Sequence, residues 1–202
     1  MLRRDFFRFG VKKIAETAFE VASEVVESHA AGWIRPPFAK PELPFLLGCT
    51  RCDRCIEACP HQVLYRLPDR LGLKVRGTPA MALLQHGCRL CADWPCVAAC
   101  EPGVLSLPVP PPTDGEDPPP PPPPPRLAAA SLDAALCLAY AGPECGACAG
   151  HCPIPGALAW TGTRPTIVAE LCLGCGLCRE ACIVQPKAIG ITSLRLGVNE
   201  GA

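Results

Sequence analysis

The 202-residue chain is poor in aromatics (5%), has only 2 methionines and 4 histidines, and carries no net formal charge, its 19 Lys and Arg balancing 19 Asp and Glu. The charge balance argues against nucleic acid as a bulk partner, because a polyanion is held by an excess of Lys and Arg that this chain does not carry. No stretch of about 20 uninterrupted apolar residues occurs, so a membrane-spanning helix is not expected. Glycine-rich phosphate loops and flavin fingerprints are missing too, which leaves nucleotide-dependent catalysis without a binding element.

What the chain does have is sulfur and proline: 16 cysteines and 26 prolines. The run Cys49-Thr50-Arg51-Cys52-Asp53-Arg54-Cys55-Ile56-Glu57-Ala58-Cys59-Pro60 has the spacing of bacterial ferredoxins, in which three cysteines wrap one iron–sulfur cube and the fourth ligates a second. Three further groups complete the count. They are Cys88, Cys91, Cys96 and Cys100; Cys137, Cys145, Cys148 and Cys152; and Cys172, Cys175, Cys178 and Cys182. Disulfides would suit dispersed pairs in an oxidising compartment, and zinc would suit two Cys-x2-Cys elements separated by a dozen or more residues. Neither pattern is the one seen here.

The rest of the sequence orders these groups. Residues 1–32 hold Arg3-Arg4 followed by aromatics, like a twin-arginine export signal. An apolar stripe follows (Phe7, Val11, Ile14, Ala18, Val21, Val25) at helical spacing, interrupted by Lys and Glu where an export signal needs an apolar stretch. An amphipathic helix to about His29 is expected, packing on the protein itself or docking on a partner or membrane surface. Residues 33–107 form a first unit. In it Gln62 to Leu67 and Leu71 to Val75 are expected to be the strands of a hairpin turning at Pro68-Asp69, and Thr78 to Gln85 to be helical. Residues 108–126 include eight consecutive prolines, Pro118 to Pro125, and read as a stiff linker; in polyproline II they would extend about 25 Å. Residues 127–194 repeat the first unit in outline, with strands at Leu127 to Leu132, Gly156 to Trp160, Pro165 to Val168 and Ala188 to Thr192, and residues 195–202 read as a tail. The fold class expected is α+β: two bacterial-type, two-cluster ferredoxin-like domains joined by a Pro-rich linker and preceded by an amphipathic helix.

The ligand-crossing rule of two-cluster ferredoxins gives four [4Fe–4S] sites. Cluster 1 takes Cys49, Cys52, Cys55 and Cys100, and cluster 2 takes Cys88, Cys91, Cys96 and Cys59. Cluster 3 takes Cys137, Cys145, Cys148 and Cys182, and cluster 4 takes Cys172, Cys175, Cys178 and Cys152. The wider Cys91-Ala92-Asp93-Trp94-Pro95-Cys96 loop is expected to use Trp94 and Pro95 as a cover against water, and His61, His86 and His151 stand beside cysteine groups as candidate tuning residues.

Cys49 to Pro60, preceded by Ile34-Arg35-Pro36-Pro37 and followed by Gly77-Thr78-Pro79 and Cys88 to Cys100, resembles the NapG and MauM ferredoxin-type proteins. The later pattern from Cys137 to Cys182 resembles the same family, and the Arg pair resembles the related NapF. The resemblance covers about residues 33–192, and the proline tract is not part of the family pattern. It implies an electron relay, or help in maturing a redox enzyme, alongside systems such as periplasmic nitrate reductase and methylamine dehydrogenase. The expected role is therefore an electron-transfer or accessory protein and not an enzyme, with a redox donor and acceptor such as a molybdoenzyme or membrane oxidoreductase complex as partners. A maturation factor for a nitrate-reductase-like oxidoreductase, or clusters that only hold small domains together, are the rival readings. The expected place is the cytoplasm, with peripheral contact at the inner membrane, against periplasmic delivery by twin-arginine export.

Overall fold

The computed structural model describes residues 30–109, 120–142 and 144–195, together with Ala22, Ser23 and Val26. Apart from those three residues, which are helical, the expected amphipathic helix lies outside the described residues, as do most of the proline tract and residues 196–202.

Short elements alternate with cysteine loops in both halves. In the first, helix α1 (Glu42–Gly48) leads into Cys49 and helix α2 (Arg54–Glu57) carries Cys55. The antiparallel pair β1 (Leu64–Arg66) and β2 (Pro79–Met81) precedes helix α3 (Pro95–Ala98), which carries Cys96. In the second, β3 (Ala129–Leu132) leads through helix α4 (Leu138–Ala141) to the hairpin β4 (Leu158–Thr161) and β5 (Arg164–Ile167), then to helix α5 (Leu177–Ala181) with Cys178 and to β6 (Ile189–Thr192). Strands β3 and β6 pair antiparallel and close that half on itself, with Ala130 opposite Ile191. The first half closes the same way through a single bridge, Ala39 to Leu105. The internal repeat is therefore visible as a shared order of closing pair, cysteine loop, hairpin and cysteine loop. The result is a small mixed helix-and-sheet protein.

The second hairpin turns at Gly162, whose φ of +61° suits the first position of a two-residue loop. The first hairpin differs from the expected one. Its second strand is Pro79–Met81 and not Leu71 to Val75, and no helix spans Thr78 to Gln85. Burial explains the exchange. Pro79, Ala80 and Met81 are all buried, whereas Leu71 and Leu73 are 40% and 75% exposed, so the chain loops out over residues 67–78 and brings the more apolar segment onto β1. Proline is tolerated at the first position of a strand, where its missing N–H breaks no ladder bond.

The halves are not held apart by the proline segment. One apolar core runs through both, from Phe45, Val63, Leu83 and Leu105 to Leu127, Leu177, Ile189 and Ile191. Burying a side chain of this size stabilises by about 1.5–3 kcal/mol, so a shared core outweighs any tendency of a stiff connector to separate two such small units. Contact is close enough to select glycine. A Cβ on Gly87 would stand 2.7 Å from the Leu177 Cα, a backbone atom that cannot swing away.

Gly87→Ala should therefore lower stability by about 1–3 kcal/mol through overpacking at this seam. Gly32→Ala, where nothing lies within 4 Å of the added carbon, should leave the midpoint of thermal unfolding nearly unchanged. Equal midpoints for the two variants would contradict the seam.

Candidate metal centres

Three of the four cysteine loops share one backbone device. In each, the residue before the second cysteine and the residue that opens the following helix take the left-handed conformation. The pairs are Arg51 and Asp53 (φ +59° and +61°), Leu90 and Trp94 (+50° and +43°), and Gly174 and Gly176 (+67° and +81°). A left-handed turn costs a non-glycine residue about 1–2 kcal/mol. Arg, Asp, Leu and Trp accept that cost in the first half, at the positions flanking the cysteines. Left-handed turns of this kind bring peptide N–H groups toward the concave side of a loop. Two peptide N–H groups face sulfur: Gly174, in one of these loops, lies 3.4 Å from Cys172 Sγ, and Leu105, outside them, 3.4 Å from Cys100 Sγ. At Gly174 the glycine is obligatory on a second count, since a Cβ there would fall 2.1 Å from the Ala128 carbonyl oxygen.

The cysteines converge in quartets. Cys49, Cys52, Cys55 and Cys100 line one pocket, with Arg51, Asp53, Val104 and Leu105 completing its wall. Cys88, Cys91, Cys96 and Cys59 line a second, closed by Trp94, Pro95, Val63 and Leu64. In the second half, Cys137, Cys145 and Cys182 pack in one small apolar cluster. Burial raises the Cys148 thiol, and the proximity of Cys137, Cys182 and Cys145 raises it further. Cys175 is raised by burial and by the neighbouring Cys152 and Cys172, and Cys178 by burial and by Cys175 and Cys172. In every quartet one sulfur arrives from a distant loop: Cys100, Cys59, Cys182 or Cys152.

Desolvation dominates the electrostatics of these thiols. It pushes Cys55 and Cys88 up to about 11 and Cys96 and Cys178 up to about 12, because a lone thiolate in an apolar wall has no water and little cationic company. Cys52 is the exception. It is the one exposed cysteine of the 16, and the Arg54 peptide N–H, followed by the Thr50 hydroxyl, holds its thiol below the usual range. Four soft sulfur donors around a shielded cavity suit iron–sulfur chemistry. Around a single zinc ion at 2.3 Å the sulfurs would have to close to about 3.8 Å of one another. Among the described residues no three His, Cys, Asp or Glu side chains are arranged to hold one metal ion.

Trp94 is buried and stacks edge-on against Phe38, with ring centroids 4.9 Å apart, so it walls the Cys88 cavity from water. His61 lines the mouth of the same cavity but is exposed. His86 and His151 are exposed as well, and the His151 ring bonds the Ala149 carbonyl oxygen at 3.1 Å and no sulfur.

Sequence reading left one element of the site unseen. Arg35 and Glu42 form a buried ion pair, the Arg35 Nε donating to Glu42 Oε2 at 2.9 Å and the terminal nitrogen Nη2 to Oε1. Nη1 donates to the Thr78 hydroxyl and the Pro79 carbonyl, both at 2.8 Å, and the Trp33 indole N–H reaches Glu42 at 3.3 Å. Arg195 also approaches Glu42 Oε2, at 3.1 Å, which ties the end of the second half to the first. The guanidinium lies over Phe45 at 4.5 Å and near Cys49, whose thiol burial raises while Arg51 and then Arg35 offset part of the rise. Arg35-Pro36-Pro37 and Thr78-Pro79 thus meet in space beside the first quartet. The signal available in the sequence was a Trp, an Arg and a Glu in a proline-rich stretch, with nothing to pair them.

No family model and no solved structure matches the chain. Curated relatives do. The chain is 31% identical to the methylamine utilization ferredoxin-type protein MauM of Methylophilus methylotrophus, over all of this chain and 89% of that protein. It is 31% identical to the ferredoxin-type protein NapG of Escherichia coli, over 83% of this chain and 73% of that one, and 33% identical to the NapF protein of the same organism, over 77% and 84%.

Breaking a buried ion pair by removing one partner costs about 3–5 kcal/mol, because the other charge stays buried and uncompensated. Glu42→Ala should lower stability by that order in thermal or denaturant unfolding. Lys40→Ala, two residues away at an exposed position, should fall within about 0.5 kcal/mol of the parent. A Glu42→Ala midpoint equal to that of Lys40→Ala would show that the pair carries no such charge.

Proposed function

Because this chain belongs to the MauM and NapG family of ferredoxin-type proteins, it is an iron–sulfur electron-transfer protein and not a catalytic enzyme, and we propose that it relays single electrons through four [4Fe–4S] clusters to or from a redox enzyme complex. The observation that carries this reading is the gathering of all 16 cysteines into four quartets, each completed by a sulfur from a distant loop. Cluster 1 is assigned to Cys49, Cys52, Cys55 and Cys100, and cluster 2 to Cys88, Cys91, Cys96 and Cys59. Cluster 3 is assigned to Cys137, Cys145, Cys148 and Cys182, and cluster 4 to Cys172, Cys175, Cys178 and Cys152. The bound cubes supply one-electron redox chemistry. The chain's own part is to donate thiolates, to aim peptide N–H groups at sulfur, and to keep water out with Trp94, Leu105 and Leu177, all of which set reduction potential.

A redox donor and acceptor are the proposed partners, a molybdoenzyme or membrane oxidoreductase complex among them. No helix among the described residues is long and apolar enough to cross a membrane. The proposed place is the cytoplasmic side of a membrane complex, tested by fusing residues 1–32 to a reporter; twin-arginine export of that fusion would move the protein to the periplasm.

Four cubes require about 16 iron and 16 acid-labile sulfide per chain after anaerobic preparation. Replacing two ligands of one cube should remove no more iron than replacing one, so Cys59→Ala with Cys91→Ala should lose about four irons and Cys59→Ala with Cys52→Ala about eight. Iron loss that groups Cys59 with Cys52 would break the crossed assignment. Reversible one-electron signals in a potentiometric titration followed by electron paramagnetic resonance are expected, and centres that never change oxidation state would leave them a purely structural role.

A further inference from the structure

The two halves meet at their cysteine loops. The Cys88 peptide N–H donates to the Cys175 carbonyl oxygen at 2.7 Å, so two residues assigned as ligands of different cubes, one from each half, are joined by a single hydrogen bond. Neighbouring contacts lock this junction on both sides. The Arg179 Nε donates to the Leu84 carbonyl at 3.0 Å, Glu180 Oε2 accepts from the Gly87 N–H at 3.1 Å, and the same carboxylate lies 3.6 Å from Arg89. Gly87 packs on the Leu177 backbone, and Gly176 leaves no room for a Cβ, which would stand 2.9 Å from the Leu83 carbonyl oxygen. Leu83 and Leu177, 2% and 6% exposed, keep the seam dry.

Within each half the quartets are neighbours as well. Helices α2 and α3, which carry Cys55 and Cys96, pack against each other, and Cys148 and Cys175 are buried in the one core that also holds those two. The other ends of the series are different. Cys52 in the first quartet is exposed, and Cys137, Cys145 and Cys182 form a cluster separate from the shared core.

We propose that the Cys88 N–H to Cys175 C=O hydrogen bond is the bridge by which the halves exchange electrons, giving one path in the order Cys49 quartet, Cys88 quartet, Cys172 quartet, Cys137 quartet. The proposal rests on the four-cluster reading above. One electron crosses per event: the centre on one side is oxidised by one, the centre on the other is reduced by one, and no bond or proton moves. The path order differs from the order in sequence, because the third cysteine group is last in line and the fourth group is adjacent to the second. The Cys52 face and the Cys137 face are then the two terminals, one in each half.

The test is magnetic and does not depend on turnover. In the Cys52→Ala, Cys145→Ala double variant, reduced with dithionite, only the two inner centres remain, and their paramagnetic resonance signals should show the splitting and relaxation enhancement of a coupled pair. The Cys91→Ala, Cys172→Ala double variant keeps only the outer centres and should show two independent signals. Arg179→Ala added to that first double variant, which removes the Arg179 to Leu84 contact at the seam and leaves every assigned ligand in place, should keep about eight irons and weaken the coupling of the inner pair; unchanged coupling there would count against the seam as the bridge. Independent signals in the first double variant, or coupled signals in the second, overturn the order. Iron content separates this from the reading beneath it: each double variant should hold about eight irons per chain. Material that binds no iron at all sinks the four-cluster reading and the path with it, whereas eight irons with uncoupled inner centres sinks the path alone.

Discussion

Sulfur that must be ionised yet kept out of water is the constraint on which this molecule depends. Burial, and after it the crowding of neighbouring cysteines, drives the thiols of Cys96 and Cys178 up to about 12, so the chain by itself holds them neutral. A cationic centre reverses that balance, because it supplies in low dielectric the charge that solvent no longer does. The strained loop backbone follows from the same requirement. Arg51, Asp53, Leu90 and Trp94 occupy a left-handed region unusual for side chains of their size, at the loops that carry the cysteines. Secondary structure is correspondingly slight: helices of four to seven residues and strands of three or four serve to aim loops.

A shared core follows from the size of the parts. A unit of about 70 residues buries too little apolar surface to stand securely without cross-links. Here each half has quartets of sulfur where a larger protein has hydrophobic layers, and the halves add Leu83, Leu177, Ile189 and Ile191 to a common interior. The contact is specific as well as apolar. Backbone meets backbone at Cys88 and Cys175, and glycine at 87 and 176 permits the approach. A connector of consecutive prolines does not oppose this arrangement. Its described end lies beside the first half, where Pro125, Arg126 and Leu127 border the same groove as Trp33 to Ala39.

The cysteine spacing made the site far more legible than the fold. Ligand runs are read from local spacing, and the repeat followed from seeing them in equal number on both sides of the proline tract. Strands β3 to β6 were legible because Gly162 and the alternation around it are local signals. The first hairpin was not. Its pairing depends on which of two segments is more completely buried, and Leu71 and Leu73 look like core until the loop over residues 67–78 places them in solvent. The contact between halves was equally out of reach, since glycine at 87 and 176 carries no sequence sign that another backbone lies against it. So was the partnership of Arg35 with Thr78, 43 residues away.

That last network also shows how stability and electronic function divide. A buried Arg–Glu pair gains little over a well-packed apolar pair, because the loss of hydration nearly cancels the attraction. Stability alone therefore gives no strong reason to keep Arg35 and Glu42 in the interior. The position of Arg35 gives a better one. Burial raises the Cys49 thiol, and Arg51 and then the nearby Arg35 guanidinium offset part of that rise, while Glu42, Thr78 and Pro79 hold Arg35 in place by four hydrogen bonds. Glu42 is in turn reached by Arg195 from the far end of the second half. An Arg–Glu pair held rigid beside the first quartet fixes the dipole and hydrogen-bond surroundings of that centre, which belong to the levers on the potential of a cluster.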